Sequence, residues 1–168
     1  MSDGMKERAG RIRLLLTDID GVWTDTGVYY SERGEEMKRF SLRDGMGVER
    51  LRKLAGIETG IVTGENSGAV MRRAEKLGIR EVHLQVQDKE ATVSEIMKRR
   101  ALMPEEVAFI GDDTNDIGAM NAVGLCACPA DAVPEVLQIA HFVSTNRGGF
   151  GAFREFAEMI ISHITRPA

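Results

Sequence analysis

Short apolar runs recur along this chain with room for one helix between successive runs, and that alternation points to a parallel sheet covered by helices. The runs are residues 12–16, 57–62, 81–86, 107–110 and 125–128, each followed by polar or glycine-containing punctuation, and they form the expected sheet core. Residues 45–54 and 68–77 carry apolar side chains at three- and four-residue spacing, and Gly56 and Gly78 stand where helix-ending glycines belong. Asp88 is placed to cap a helix reaching about Arg100, and Thr114 or Asn115 to start one that ends before Gly124. Pro134 opens a short helix, and residues 151–163 form the last. With 168 residues, 43% of them hydrophobic, the chain fits a single three-layer α/β/α domain over residues 1–168, without linker or repeat.

Residues 27–31 and 36–40 break this rhythm, since they flank a turn at Glu32-Arg33-Gly34-Glu35 and read as a hairpin spanning residues 27–40. Its Tyr and Phe side chains either pack at an edge or meet another subunit, because a two-stranded flap is marginal unless something covers it. Residues 1–11 are polar and mixed in charge and are expected to fray; they lack the apolar centre of a secretory signal, so cytoplasmic residence is the default. No apolar run is long enough to span a bilayer. The formal charge of −4 argues against nucleic-acid binding by a basic face and favours a small-molecule partner. Cys126 and Cys128 are too close in sequence for an ordinary disulfide and read as core residues. His83, His141 and His163 show no metal-ligand spacing.

In a parallel α/β domain, ligands collect beyond the carboxyl ends of the strands. Asp18 and Asp20 follow the first strand, Thr63 and Gly64 the second, Lys89 the third, and Asp112, Asp113 and Asp116 the fourth. Carboxylates converging without a cation would repel one another, so a divalent ion is expected, and hard oxygen ligands point to Mg2+. A free carboxylate beside it suits phosphoryl transfer through an aspartyl phosphate: Asp18 as nucleophile, Asp20 as proton donor and acceptor, and Thr63 and Lys89 on the equatorial oxygens. Singly, an Asp-x-Asp is a solvated turn and a Gly-Asp-Asp a helix cap. The ordered set carries the reading.

The segments Asp18-Ile19-Asp20-Gly21-Val22, Thr63-Gly64, Lys89 and Gly111-Asp112-Asp113-Thr114-Asn115-Asp116 resemble the four signature motifs of the haloacid dehalogenase superfamily, over nearly the whole chain. The resemblance implies a Rossmann-like fold, the roles above, magnesium held by Asp18, the Asp20 carbonyl and Asp112, and support from Asp113 and Asp116. A phospho-acceptor signalling domain uses similar groups, but there the acidic pair precedes the acceptor.

Neither the interval from Asp20 to Thr63 nor that from Thr63 to Lys89 has room for a cap domain, so a neighbouring subunit is the economical cover for the site. Asp20-Gly21-Val22-Trp23-Thr24-Asp25, Arg43-Asp44-Gly45-Met46-Gly47 and the stretch from Arg147 to Phe156 are similar to a capless branch acting on phosphates of 2-keto-3-deoxy sugar acids in lipopolysaccharide or sialic-acid-type biosynthesis. That resemblance implies a homo-oligomer, a tetramer with the hairpin at its centre, in which residues 144–168 form a loop and helix and Arg147 reaches a neighbour's site. Arg147 otherwise reads as an exposed loop residue, and Trp23 either lines the pocket or fills space under the hairpin. Glu65, with Arg73 and Lys76 further along the helix, favours the nine-carbon substrate 2-keto-3-deoxynononate 9-phosphate, Glu65 accepting from sugar hydroxyls and Lys76 meeting the substrate carboxylate across a subunit boundary; the alternative for the basic residues is a solvated helix face. The Arg43 segment looks more like enzymes for the eight-carbon alternative, 3-deoxy-manno-octulosonate 8-phosphate. The nine-carbon acid is the expectation taken forward.

Overall fold

The apolar run at residues 12–16 becomes the middle of a sheet buried on both faces. In the computed structural model, which describes residues 3–164, the elements in chain order are α1 (Asp3–Gly10), β1 (Leu14–Thr17), β2 (Tyr29–Ser31), β3 (Gly34–Met37) and α2 (Leu42–Arg50), which continues as a π-helical turn, Leu51–Ala55. They are followed by β4 (Glu58–Val62), α3 (Gly68–Leu77), β5 (Glu81–His83), α4 (Lys89–Arg100), β6 (Val107–Ile110), a 3-10 turn at Thr114–Asp116, α5 (Ile117–Asn121), β7 (Leu125–Cys128), α6 (Pro134–Ile139), β8 (Phe142–Val143) and α7 (Ala152–His163). Six strands form one sheet in the order β5-β4-β1-β6-β7-β8, with every pair parallel. The fold is the expected α/β Rossmann-like one.

Alternation along each strand divides the interior into two cores. Leu15, Ile61, Ala108, Ile110, Leu125 and Ala127 point to the core shared with Val48, Phe153 and Phe156, whereas Leu14, Leu16, Phe109, Cys126 and Cys128 point to the core shared with Val93 and Val136. The period of two in the side chains therefore presents apolar groups to helices on both sides, as all-parallel sheets require. Both cysteines are free and buried in β7, and Trp23 stands edge-on to Phe153 at 5.1 Å between ring centroids. Trp23 is thus a core residue and no part of the pocket wall.

Helix ends follow the sequence closely. Gly56 and Gly78 adopt the left-handed conformation that ends the segments before them, and the Asp88 carboxylate accepts from the Ala91 N–H at 2.9 Å. Three features differ from expectation. Of the segment expected to fray, residues 3–10 form the helix α1 and residues 1 and 2 lie outside the described residues: Met5, Ala9 and, just past the helix, Ile12 recur at helical spacing and pack on the α7 side of the sheet, while Arg8 donates to the Gly124 carbonyl at 2.6 Å. Only three residues of the run at 81–86 are strand, half-buried at the sheet edge. β8 is a sixth strand, too short to show a pattern. Among the described residues no helix is long and apolar enough to cross a membrane.

The first residues of the loop between β8 and α7 are held by the Glu155 carboxylate, as Asp131 holds Arg147 and Gly148 further on. Glu155 accepts from Thr145 N at 2.9 Å and Asn146 Nδ2 at 2.8 Å, and from the Ser144 hydroxyl. Burial by itself would raise its pKa, but these hydrogen bonds outweigh burial and hold Glu155 below its ordinary value of 4.5. A carboxylate lowered on folding gives stability that is complete above its unfolded pKa and lost as pH falls through the folded one. Glu155→Gln is therefore expected to cost about 1–2 kcal/mol at pH 7, with the gap to wild type narrowing as urea midpoints are measured down through pH 4. A gap independent of pH would contradict this.

Candidate active site

Chain reversal at the carboxyl ends of β1, β4 and β6 leaves a cleft of about 310 Å³. Asp18, Asp20, Thr63, Gly64, Asp112 and Asp113 line it from the sheet side. The hairpin β2-β3 forms the facing wall through Tyr30, Glu35 and Lys38. Parallel register explains the convergence: Thr17 pairs with both Ile61 and Ile110, so the residues that leave the three strands emerge at one level.

At the floor of the cleft, Lys89 is buried with its ammonium 2.9 Å from Asp18 Oδ1 and 2.6 Å from Asp116 Oδ1. It begins α4, where the helix dipole disfavours a cation, so the two carboxylates are what make the position tolerable. Burial would lower the Lys89 pKa, but Asp18 and Asp116 outweigh it and raise it. Asp116 is fully committed: its Oδ1 takes Lys89, and its Oδ2 accepts from the N–H groups of Asp112 at 3.0 Å and Asp113 at 3.4 Å. It thereby shapes the loop that presents Asp112. Asp113 is exposed and caps the 3-10 turn, accepting from Thr114 N at 2.6 Å.

Asp18, Asp112 and Asp116 each offer an oxygen within 4.8 Å of the other two. Three carboxylates around one ammonium leave two negative charges uncompensated when all are ionised, which is the charge of one divalent cation. The strain appears in their acidities. Burial, then Asp116, pushes Asp18 up to about 7 against the pull of Lys89. Burial, then Asp18, Asp116 and Asp113, pushes Asp112 up to about 8. Asp112 Oδ1 is buried with no hydrogen-bond partner among the described residues, and Asp112 Oδ2 occupies space that a Cβ on Gly21 would fill, at 1.9 Å. Gly21, at φ +90°, is thus what lets Asp112 close on the Asp18 loop. Unpartnered carboxylate oxygens of this kind fit a hard, oxygen-seeking cation such as magnesium.

Asp20 is held on one side only. Its Oδ1 accepts from Lys38 Nζ at 2.6 Å and lies 3.5 Å from the Thr24 hydroxyl, while its Oδ2 is buried and unpartnered. Thr63 is buried at the end of β4, its hydroxyl accepting from the Glu65 N–H at 3.3 Å, and Glu65 lies on the cleft wall.

The haloacid dehalogenase-like hydrolase family matches residues 32–124 of the chain. Over 161 residues the chain is 39% identical to the 3-deoxy-D-manno-octulosonate 8-phosphate phosphatase of Yersinia pestis, covering 96% of this chain and 86% of the relative. The chain belongs to the haloacid dehalogenase-like hydrolase family. A crystal structure of the Moraxella catarrhalis 3-deoxy-D-manno-octulosonate 8-phosphate phosphatase, in complex with magnesium, phosphate and the sugar acid, superposes on this hydrolase with TM-score 0.93 at 30% identity, covering 98% of this chain and 94% of that one. The cobalt-bound deoxy-D-mannose-octulosonate 8-phosphate phosphatase of Haemophilus influenzae gives TM-score 0.89 at 36% identity, covering 93% of this chain and 91% of that one.

Within this hydrolase the residues expected to bind substrate divide. Gly64 and Glu65 line the cleft. Arg73 does not: it donates to the Ser41 carbonyl at 2.9 Å and lies over the Phe40 ring, a tie between α3 and the end of the hairpin. Lys76 is in the last turn of α3 and lines a different cavity with Glu58 and Glu81, where the strands begin. Helical spacing placed the two basic residues on one helix correctly, but α3 runs away from the site. Arg147 is exposed and paired with Asp131 at 3.0 Å, outside the cleft. Lys38 and Glu35 were missed, because in so short a hairpin nothing in the sequence tells the covered face from the open one.

The loop that carries Arg147 nevertheless supports the site from outside. Gly149 N donates to the Val22 carbonyl at 2.9 Å, and a Cβ on Gly148 would fall 1.8 Å from the Gly21 carbonyl oxygen. Since that obstacle is backbone, Gly148→Ala is expected to destabilise the hydrolase by about 1–3 kcal/mol and to speed amide exchange at residues 19–25. Unchanged exchange there would show that the two loops are not coupled.

Proposed function

We propose that this chain is a magnesium-dependent phosphatase acting on 3-deoxy-D-manno-octulosonate 8-phosphate. The observation that carries the reading is the cluster of Asp18, Asp112 and Asp116 around Lys89, with Asp20 beside it, at the strand ends of a chain whose relatives bear that name. The choice of substrate reverses the expectation drawn from Glu65, Arg73 and Lys76. Arg73 is tied to the Ser41 carbonyl and the Phe40 ring and does not line the cleft, and the named relatives act on the eight-carbon acid.

In this reading Asp18 Oδ attacks phosphorus, a bond forms between them, and the ester P–O bond breaks as Asp20 gives its proton to the departing alkoxide. Asp20 then takes a proton from water as the water oxygen bonds to phosphorus and the bond from Asp18 to phosphorus breaks. Thr63 and Lys89 donate to the equatorial oxygens. Asp18, Asp112 and the Asp20 carbonyl would hold magnesium, with Asp116 and Asp113 shaping the loop behind it. Magnesium, when bound, offsets the charge of the carboxylates and of the phosphate oxygens.

The hairpin and the start of α2 expose Tyr29, Met37, Leu42 and Met46 outside the cleft, apolar side chains of the kind that a partner surface covers. This supports a homo-oligomer, a tetramer in the resemblance drawn from the sequence. Any contact of Lys76 or Arg147 with substrate would be made in a neighbour's cleft.

Two measurements test the reading. kcat/KM for the eight-carbon acid phosphate is expected to exceed that for 2-keto-3-deoxynononate 9-phosphate by about tenfold or more, the scale on which a pocket reads one extra carbon; the reverse ratio would restore the nine-carbon reading. Asp112→Asn is expected to weaken magnesium binding, followed by calorimetry, by at least about tenfold. An unchanged affinity would remove Asp112 from the metal site.

A further inference from the structure

Lys38 is a buried cation that the chemistry above does not use. Only 2% of its side chain is exposed, although it sits on a hairpin whose neighbouring residues are largely open to solvent. Its ammonium lies 2.6 Å from Asp20 Oδ1 and 3.3 Å from Glu35 Oε1, and Glu35 in turn accepts from the Ser67 hydroxyl at 3.3 Å. Ser67 is the residue that starts α3. A continuous chain of polar contacts therefore runs from α3 through the hairpin to the Asp20 carboxylate.

Burying an ammonium is costly unless it is paired, and here both partners face the cleft. Glu35 is in the same strand pair, so an ion pair with Glu35 would have served if the only task were to hold the hairpin together. The shorter contact instead goes to Asp20, on a separate loop. It engages one oxygen and leaves the other, Oδ2, buried and without a partner. A carboxylate bonded at one oxygen by a rigidly held donor has its plane fixed, so the second oxygen is presented in a single direction.

We propose that Lys38 is a positioning residue for the phosphatase reaction: carried by the hairpin and braced by Glu35, it pins Asp20 Oδ1 so that Oδ2 faces the leaving oxygen and transfers the proton. The hairpin is then part of the proton-transfer apparatus as well as a wall of the pocket. This rests on the phosphatase reading, in which Asp20 protonates the departing alkoxide.

The test uses two leaving groups in the magnesium-loaded protein. A sugar alkoxide needs a proton to depart, whereas p-nitrophenolate does not. For Lys38→Met, kcat on the octulosonate phosphate is expected to fall about 30- to 100-fold, within the range of general acid catalysis, with KM changed less than about threefold. The burst of p-nitrophenol from p-nitrophenyl phosphate is expected to change less than about threefold, because that step does not use the positioned proton. Lys38→Met with Glu35→Gln, which removes the charge left without a partner, is expected to show the same split with a thermal midpoint nearer wild type. Equal losses on the two substrates in the double variant, or no loss on the sugar phosphate in either, would overturn the proposal. Wild-type protein that releases phosphate from neither substrate would overturn the phosphatase reading and this inference with it.

Discussion

The Lys89 ammonium, enclosed between Asp18 and Asp116 where β1, α4 and the loop after β6 meet, is the contact on which the site depends. Each partner would be costly to bury alone, and together they tie three separate segments at one point. Asp116 passes the constraint on by accepting the N–H groups of Asp112 and Asp113, so the position of Asp112 follows from that of Lys89. The charge left over is negative and concentrated on Asp18 and Asp112. Their pKa values, raised to about 7 and about 8, are the cost of burying neighbouring carboxylates at a site that fits a divalent cation.

Around this fixed floor the walls are built from separable pieces. The Gly148 loop backs the Asp18–Gly21 turn, with Glu155 stapling the preceding residues and Arg39 donating to the Gly149 carbonyl at 3.2 Å. The hairpin faces the floor across the cleft, and its outer surface carries the exposed apolar side chains. One short two-stranded element thus presents Lys38 and Glu35 to the cleft and Tyr29 and Met37 to the outside.

Much of this was legible in the sequence, for definite physical reasons. Strands buried on both faces read as continuous apolar runs, glycines in the left-handed conformation mark helix ends at Gly56 and Gly78, and in parallel register strand-end polar residues must meet. The meeting of Asp18, Thr63, Lys89 and Asp112 follows from that register. Direction was less legible. Arg73 and Lys76 share the amphipathic helix that follows Thr63, but the helix returns towards the strand starts and carries Lys76 to the opposite end of the sheet. Helix α1 was obscured because Met5 and Ala9, its residues that reach the core, are diluted by charge, and Lys38 because one lysine in a charged hairpin gives no sign that it is buried.

The account turns on Asp18 as the atom donor to phosphorus, and that can be observed. Magnesium-loaded protein mixed with the octulosonate phosphate, quenched in acid within milliseconds and digested, should yield a phosphorylated peptide whose modified residue is Asp18, and Asp18→Asn should give neither that peptide nor turnover while keeping its fold. Phosphate release at wild-type rate from Asp18→Asn, or a phosphoryl group trapped on any other residue, would contradict it.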